Sequence, residues 1–227
     1  MTIRAKLYAA IVLTILGPLA TTAVALHGMS EMGDRFDEVR QSSEREALAR
    51  EIKFAVTDMN GWQTAYGYAG GDFRDRFLAS AAKLRDDLDA GTGTFTDDQE
   101  STLFEQVRQN FRRFMELDAV AWHSLQSGDP DRTKRILLGP ELKQFETMAD
   151  TADELADYEV TQATATENSF DDARDEARKR LIAVALGAAV VVVLLLVTAN
   201  DIARMALEGE RHVRRREESG PESDETT

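Results

Sequence analysis

The chain has 227 residues, no cysteine and a formal net charge of −14 at pH 7. Without cysteine it has no disulfide framework, no thiol nucleophile and no thiolate metal site. An acidic chain also lacks the basic face that nucleic-acid binding needs, so we expect no nucleic-acid partner. The histidines, His27, His123 and His212, are dispersed along the sequence. We therefore expect neither a metal site nor a cofactor.

Two uncharged apolar segments lie near the two ends of the chain, at residues 7–26 and 181–199. A helix needs about 20 apolar residues to cross the roughly 30 Å hydrocarbon core of a membrane. Both segments are therefore predicted to be transmembrane helices. The first has a second interpretation as a cleavable signal peptide, because Arg4 and Lys6 precede it and Ala23-Val24-Ala25 resembles a cleavage site.

Positive charges flank both apolar segments and predict the topology. Residues 1–6 contain Arg4 and Lys6, and the tail at residues 200–227 contains Arg214, Arg215 and Arg216. Because such residues favour the cytoplasmic side, we expect both termini to be cytoplasmic. Residues 27–180 would then be extracytoplasmic in a bacterial cell membrane. With only this tail after the second segment, partly disordered from residue 217 onward, we expect no output domain.

Glycine and proline divide residues 27–180, which carry a net charge of −13, into four predicted helices. The first is predicted to run to about Ala69 and the second from Asp72 to Ala90. The third is expected to begin with Thr96 as its N-cap and Gln99 as the capping-box partner. The last should begin at Asp129-Pro130 and break or kink at Gly139-Pro140.

Apolar residues recur in steps of three and four along these helices, as they do in bundles and coiled coils. On the first helix they are Leu48, Ile52, Ala55, Met59, Trp62, Tyr66 and Ala69. On the second helix they are Phe73, Phe77, Ala81, Leu84 and Leu88. The pattern predicts an all-α fold, an antiparallel up-down four-helix bundle between two transmembrane helices.

Two sequence stretches and the layout as a whole resemble a known family. The stretches are Asp58-Met59-Asn60-Gly61-Trp62-Gln63-Thr64-Ala65-Tyr66, and Ser127-Gly128-Asp129-Pro130 followed by Arg135-Ile136-Leu137-Leu138-Gly139-Pro140. Together with the order span, bundle, span, they resemble the four-helix-bundle sensory module of methyl-accepting chemotaxis receptors and related bacterial transmembrane sensors. The resemblance covers about residues 1–200.

This resemblance implies a sensor function. Such modules usually form homodimers, bind a small molecule or a periplasmic protein near the distal end of the bundle, and transmit through small shifts of the last helix. Family members continue into a HAMP linker and an output domain, which residues 200–227 are too short to form. The chain would therefore act on a separate signalling protein. The alternative is a non-sensory helical scaffold or tether in the cell envelope.

The first candidate ligand-binding group lies on the first helix. Trp62 and Tyr66 are one helical turn apart, with Asn60 and Gln63 beside them. Aromatic and amide side chains together are typical of a ligand pocket. Both aromatic residues also fall on the apolar stripe, so packing in the bundle core is the favoured interpretation of them.

The second candidate group is basic. Arg112, Arg132 and Arg135 stand out in an acidic domain, and they are expected either to clamp a carboxylate ligand or to form a solvated face. The sequence offers no nucleophile–base constellation, no phosphate-binding loop and no paired catalytic carboxylates. We therefore do not expect an enzyme.

Overall fold

The computed structural model describes residues 3–218, and within that range the chain is helical and contains no strand. The all-α prediction is confirmed. In chain order the elements are α1 (Ile3–Tyr68), α2 (Arg74–Ala90), α3 (Asp98–Gln126), α4 (Pro130–Ile136), a π-helical turn (Leu137–Glu141) and α5 (Leu142–Glu218).

The turn between α1 and α2 is left-handed at three positions. Gly70 and Gly71 have φ angles of 66° and 109°, which glycine adopts without steric cost. Phe73 also has a positive φ of 70° and is 48% exposed. The prediction that Phe73 belongs to the apolar stripe of the second helix is therefore wrong, because the turn places it ahead of α2. Phe77 is the first residue of that stripe to be buried.

The N-terminus of α3 has a capping box one residue later than expected. Asp97, not Thr96, is the N-cap, and its carboxylate accepts a hydrogen bond from the backbone N–H of Gln99. Glu100 completes the box by accepting from the backbone N–H of Asp97. An aspartate is at least as good a cap as threonine and also carries charge that suits the positive end of the helix dipole.

The last predicted helix begins as expected and changes its winding at the predicted position. Asp129 caps α4 by accepting from the backbone N–H of Arg132, and Pro130 occupies the first turn. Around Gly139 and Pro140 the chain forms the π-helical turn. A proline inside a helix removes one backbone hydrogen bond, and the wider winding accommodates this without ending the helix.

The chain divides into two compact units, of which the first is Asp34–Asp171 and is called the core unit below. Its core contains side chains from all four long segments that cross it and from the turn before α3. The residues that are fully buried, at most 2% exposed, include Ile52, Met59, Tyr66, Phe77, Leu84, Val107, Phe114, Met148 and Leu155. These residues occur at helical spacings, as expected for a fold stabilised by one apolar face per helix.

The second unit combines residues up to 33 with residues from 172 onward. Within the described residues, one helix, Pro130–Asn200, is long and apolar enough to cross a membrane by length and composition. Most of its large apolar side chains from Leu181 to Val197 are exposed, and Val184, Val191 and Leu195 are half-buried. The first span, at residues 7–26, belongs to α1 and stays a prediction. The side chains of Arg4, Lys6, Arg214, Arg215 and Arg216, and residues 219–227, lie outside the described part.

Two glycines of the core unit are expected to respond oppositely to alanine. A Cβ at Gly91 would lie 2.5 Å from Phe104, which is buried and packs on Phe95 with ring centroids 5.0 Å apart. Gly91→Ala should therefore destabilise by about 1–3 kcal/mol through overpacking. Gly61 lies inside α1 with open space around it, so Gly61→Ala should stabilise by about 0.4–1 kcal/mol. Urea unfolding followed by circular dichroism measures both, and equal signs would contradict the packing at Gly91.

Candidate functional site

A buried ion pair joins α1, α2 and α3. The guanidinium of Arg74 donates to both carboxylate oxygens of Asp118, with N–O distances of 2.6 and 2.5 Å. The hydroxyl of Tyr66 donates to the same carboxylate. Asp118 is 1% exposed. A bidentate contact between an arginine and a carboxylate is among the stronger hydrogen-bonded pairs in proteins. Three helices therefore meet at one carboxylate.

Aromatic rings surround the guanidinium of Arg74. Its Cζ atom lies 4.7 Å from the ring centroids of Tyr66 and Phe77, and 4.9 Å from that of Trp122. The guanidinium is planar and weakly hydrated, so it is suited to stacking on such rings. The aromatic box and the carboxylate together offset the cost of taking this cation out of water.

The hydroxyl of Tyr66 stays protonated in this setting. Burial and, after it, the neighbouring Asp118 raise the pKa of Tyr66 above its usual value. The neutral hydroxyl is therefore available as a hydrogen-bond donor to Asp118 across the ordinary pH range. Tyr66, predicted either as a pocket residue or as core, is fully buried.

A second buried acid lies close to this ion pair. Glu141, the last residue of the π-helical turn, is 1% exposed and accepts a hydrogen bond of 2.7 Å from the side-chain amide of Gln63. Burial, reinforced by the negative charge of Asp118, raises the pKa of Glu141 to about 8. At neutral pH Glu141 is therefore mostly uncharged.

A cleft opens beside Gln63, between α1 and the region where α5 begins. Its cavity volume is about 50 Å³, which is well below the roughly 300–1,000 Å³ of small-molecule pockets. In this structure the cleft therefore has room for only one end of a small ligand. Leu137, Leu138 and Leu142 form its apolar side. The remaining lining residues are Asn60, Gln63, Thr64, Gly67, Tyr68 and Lys134.

The width of the cleft depends on a glycine. A Cβ at Gly67 would lie 2.5 Å from Cδ1 of Leu137. Gly67 therefore allows the π-helical turn to approach α1 closely enough for one cleft to form between the two elements. The polar groups along this edge of the cleft, from Asn60, Gln63 and Thr64, are amides and a hydroxyl, and Lys134 adds a positive charge.

The structure brings together some of the predicted ligand-binding residues and separates others. Asn60 and Gln63 line the cleft, whereas Tyr66 packs in the core. Trp62 is half-buried and lines a different, more open groove, where its ring lies 4.7 Å from the guanidinium of Arg76. The basic group does not join either set: Arg112, Arg132 and Arg135 are exposed.

Sequence reasoning missed three residues of the buried network, Arg74, Asp118 and Glu141. A signal for two of them was present. Asp118 follows Phe111 and Phe114 and precedes Ala121 in steps of three and four, and each of these three neighbours is buried. Glu141 likewise lies seven residues, or two helical turns, before Met148, which is also buried. An acid at a position of an apolar stripe must be paired or neutral, which marks it as a member of a buried network.

The described residues bear on metal binding as well. Among residues 3–218, no group of three or more histidine, aspartate or glutamate side chains is placed to hold a metal ion.

No protein-family profile, no curated protein and no solved structure matches this chain.

Proposed function

We propose that the chain is a membrane-anchored sensor module of the chemoreceptor type, which detects an extracytoplasmic ligand and relays its binding through α5. One observation carries the proposal: the cleft is lined by Leu137, Leu138 and Leu142, at and just before the start of α5, and α5 is the helix that contains the apolar segment at 181–199. A ligand in the cleft would thus touch the helix that leads toward the membrane.

The proposal includes an antiparallel up-down four-helix bundle between two membrane spans, at residues 7–26 and 181–199. Contacts between α1 and α5 in the core unit support this arrangement, because they run in opposite directions along the two helices. Arg35 donates to Ser169 at 3.1 Å, and Lys53 pairs with Asp153 at 3.1 Å. We include in it cytoplasmic termini, which the flanking positive charges predict, and a homodimer, which the family resemblance implies. We also include a separate signalling protein on which the chain acts.

The π-helical turn is the element we expect to move. It places its own Leu137 and Leu138 in the cleft, and its last residue, Glu141, accepts the hydrogen bond from Gln63. Single π-helical turns inside α-helices are frequent at functional sites. Displacing the leucines would pull on the Gln63–Glu141 bond and so shift the first turn of α5 against α1.

The lining residues define the chemistry of the ligand. Three leucines favour an apolar body, and Asn60, Gln63, Thr64 and Lys134 offer hydrogen bonds at the edge. A cavity of about 50 Å³ admits only one end of such a molecule, so a ligand that binds there would displace the π-helical turn. We therefore expect a small, partly apolar metabolite with one polar or anionic end.

A ligand screen tests this function on the full chain in lipid nanodiscs. A metabolite that occupies the cleft should raise the thermal midpoint, since saturation at about 100 times Kd stabilises a protein by about 2.7 kcal/mol. Leu138→Asp should abolish the shift by placing a charge on the apolar wall. Leu138 is 58% exposed, so its substitution should not unfold the chain. Leu78→Asp, at a position 44% exposed outside the cleft, is the matched control and should keep the shift.

Other outcomes would count against the sensor. If a broad panel of small carboxylates, amino acids and amides gives no shift, the cleft is not a ligand site and the envelope scaffold or tether becomes the better interpretation. If Leu138→Asp and Leu78→Asp lose the shift equally, the ligand binds elsewhere or the effect is general. In either case the proposed place of sensing is wrong.

A further inference from the structure

A second buried charge cluster lies in the core unit and takes no part in the cleft. It joins Arg45 on α1, Glu100 on α3 and Glu159 on α5. The Nε atom of Arg45 lies 3.5 Å from a carboxylate oxygen of Glu100 and 3.5 Å from one of Glu159. Glu100 is 3% exposed and Glu159 is fully buried. We call these three residues the Arg45 cluster.

The Arg45 cluster contains more acid than base. One guanidinium faces two carboxyl groups, and full ionisation would leave a negative charge without a partner in a buried place. Within the part of the chain that the structure describes, both oxygens of Glu159 and the Nε of Arg45 have no hydrogen-bond partner. A buried ionised carboxylate in this position is costly, and the usual escape is to bind a proton.

The proton belongs on Glu159 rather than on Glu100. Oε2 of Glu100 accepts hydrogen bonds from the backbone N–H groups of Thr96 (3.0 Å) and Asp97 (3.2 Å), which suits a carboxylate. Glu159 has no such donors. Burial, and then the negative charge of Glu100, raise the pKa of Glu159 well above its ordinary value, and Arg45 opposes this only in part. A protonated Glu159 can donate to the carboxylate of Glu100.

We propose that the Arg45 cluster is a proton-binding site in which Glu159 and Glu100 share one proton beside Arg45, and that losing this proton loosens the contact of α3 with α5. The charges that act on Glu159 come from Arg45 on α1 and Glu100 on α3. On α5 its neighbour Tyr158 donates to Asp97, the N-cap of α3, at 3.1 Å. The inference is independent of the cleft and of what binds there.

Losing the proton changes the balance of forces in a definite direction. With Glu159 ionised, two buried carboxylates share one guanidinium, and their repulsion acts between α3 and α5 at short range, where burial weakens screening by water. The N-terminus of α3 should then separate from α5, together with the Tyr158–Asp97 hydrogen bond. The chain would sense proton concentration as well as any ligand.

Infrared spectroscopy of the full chain in lipid nanodiscs tests the shared proton directly. At pH 6 a buried protonated carboxyl gives a C=O stretching band that is distinct from that of a carboxylate. Glu159→Gln should remove one such band, and raising the pH should remove the same band from the unaltered chain. Glu141→Gln, which removes the other buried acid, is the matched control and should leave the Glu159 band in place.

Spin-label distances test the conformational consequence. The chain has no cysteine, so labels attach only at Thr102→Cys on α3 and Thr164→Cys on α5, both exposed positions. Their distance distribution should broaden or shift between pH 6 and pH 9, and Glu159→Gln should hold it at the pH 6 form. Glu141→Gln should still respond.

Two results would overturn the proposal. If Glu159→Gln removes no protonated-carboxyl band at pH 6, Glu159 is ionised at that pH in the unaltered chain. A distance distribution that responds to pH equally with and without Glu159 means that another group carries the change. If Glu159→Gln proves unstable, the pH response of the infrared band in Glu141→Gln, which lacks the other buried acid, still decides whether a buried carboxyl of the Arg45 cluster titrates. Glu100→Gln then decides whether that band depends on this cluster.

Discussion

Replacing Asp118 with alanine is expected to lower the free energy of unfolding by about 3–5 kcal/mol, the usual cost of breaking a buried ion pair from one side. Asp118 is 1% exposed and is bound by both Arg74 and Tyr66. Its removal leaves a guanidinium inside an aromatic box without a counter-charge and a buried hydroxyl without an acceptor. Urea unfolding of the full chain in nanodiscs, followed by far-UV circular dichroism, measures the loss.

Two controls separate the ion pair from a general effect of removing an acid. Glu116→Ala, on the same helix, breaks the pair with Arg113, whose side chains are more than 60% exposed, and should cost less than about 1 kcal/mol. The double variant Arg74→Met with Asp118→Leu should recover most of the stability, because no unpaired charge remains. A cost below 1 kcal/mol for Asp118→Ala would mean that the carboxylate is not the centre of the network.

Helix boundaries were predictable because glycine and proline act through local backbone sterics. Gly70-Gly71 predicted the end of the first helix at about Ala69, and α1 ends at Tyr68. Asp129-Pro130 predicted the start of the last helix, and Asp129 caps α4. The errors are also local. The capping box moved by one residue to Asp97, and Phe73 entered a left-handed turn that its sequence does not require.

The buried network was harder to predict because its partners are far apart in sequence. Arg74 and Asp118 are 44 residues apart, and Gln63 and Glu141 are 78 apart. From local sequence alone, an acidic residue is predicted to be exposed to solvent unless it occupies a position on the apolar stripe of its helix. Glu141, Met148, Leu155 and Glu159 are separated by steps of seven or four and are all buried. Acids at such positions are the signal that a periodicity analysis restricted to apolar residues discards.

The cleft illustrates a different limit. Asn60 and Gln63 were predicted from amides next to aromatic residues, and both line it. The aromatic residues themselves do not, because Tyr66 turns to Asp118 in the core and Trp62 faces a second groove. Leu137 and Leu138 could not be assigned to the cleft from the sequence. The direction of their side chains depends on the wider winding of the π-helical turn. The sequence predicted only a break or kink at Gly139-Pro140, which does not fix that direction.

Glu141→Gln is expected to remove a large part of the pH dependence of stability. The pKa of Glu141 in the folded chain is about 8, above its ordinary value of 4.5. Between these two values the folded chain binds a proton that the unfolded chain has released. Stability from this group is therefore fully present below about pH 4.5, falls as the pH rises, and is lost above about pH 8, with a slope of up to about 1.4 kcal/mol per pH unit.

The glutamine variant isolates this group because it keeps the shape and cannot ionise. Its side-chain oxygen can still accept from Gln63. We expect equal stability of the two chains at pH 4.5 and a growing advantage for Glu141→Gln up to pH 9, where the difference should reach several kcal/mol, as expected for an ionised carboxylate near Asp118. Urea unfolding at pH 4.5, 6, 7.5 and 9 measures it. A variant that is less stable than the original chain at pH 9 would show that the folded chain favours the ionised form of Glu141 and that Arg74, rather than burial, controls its pKa.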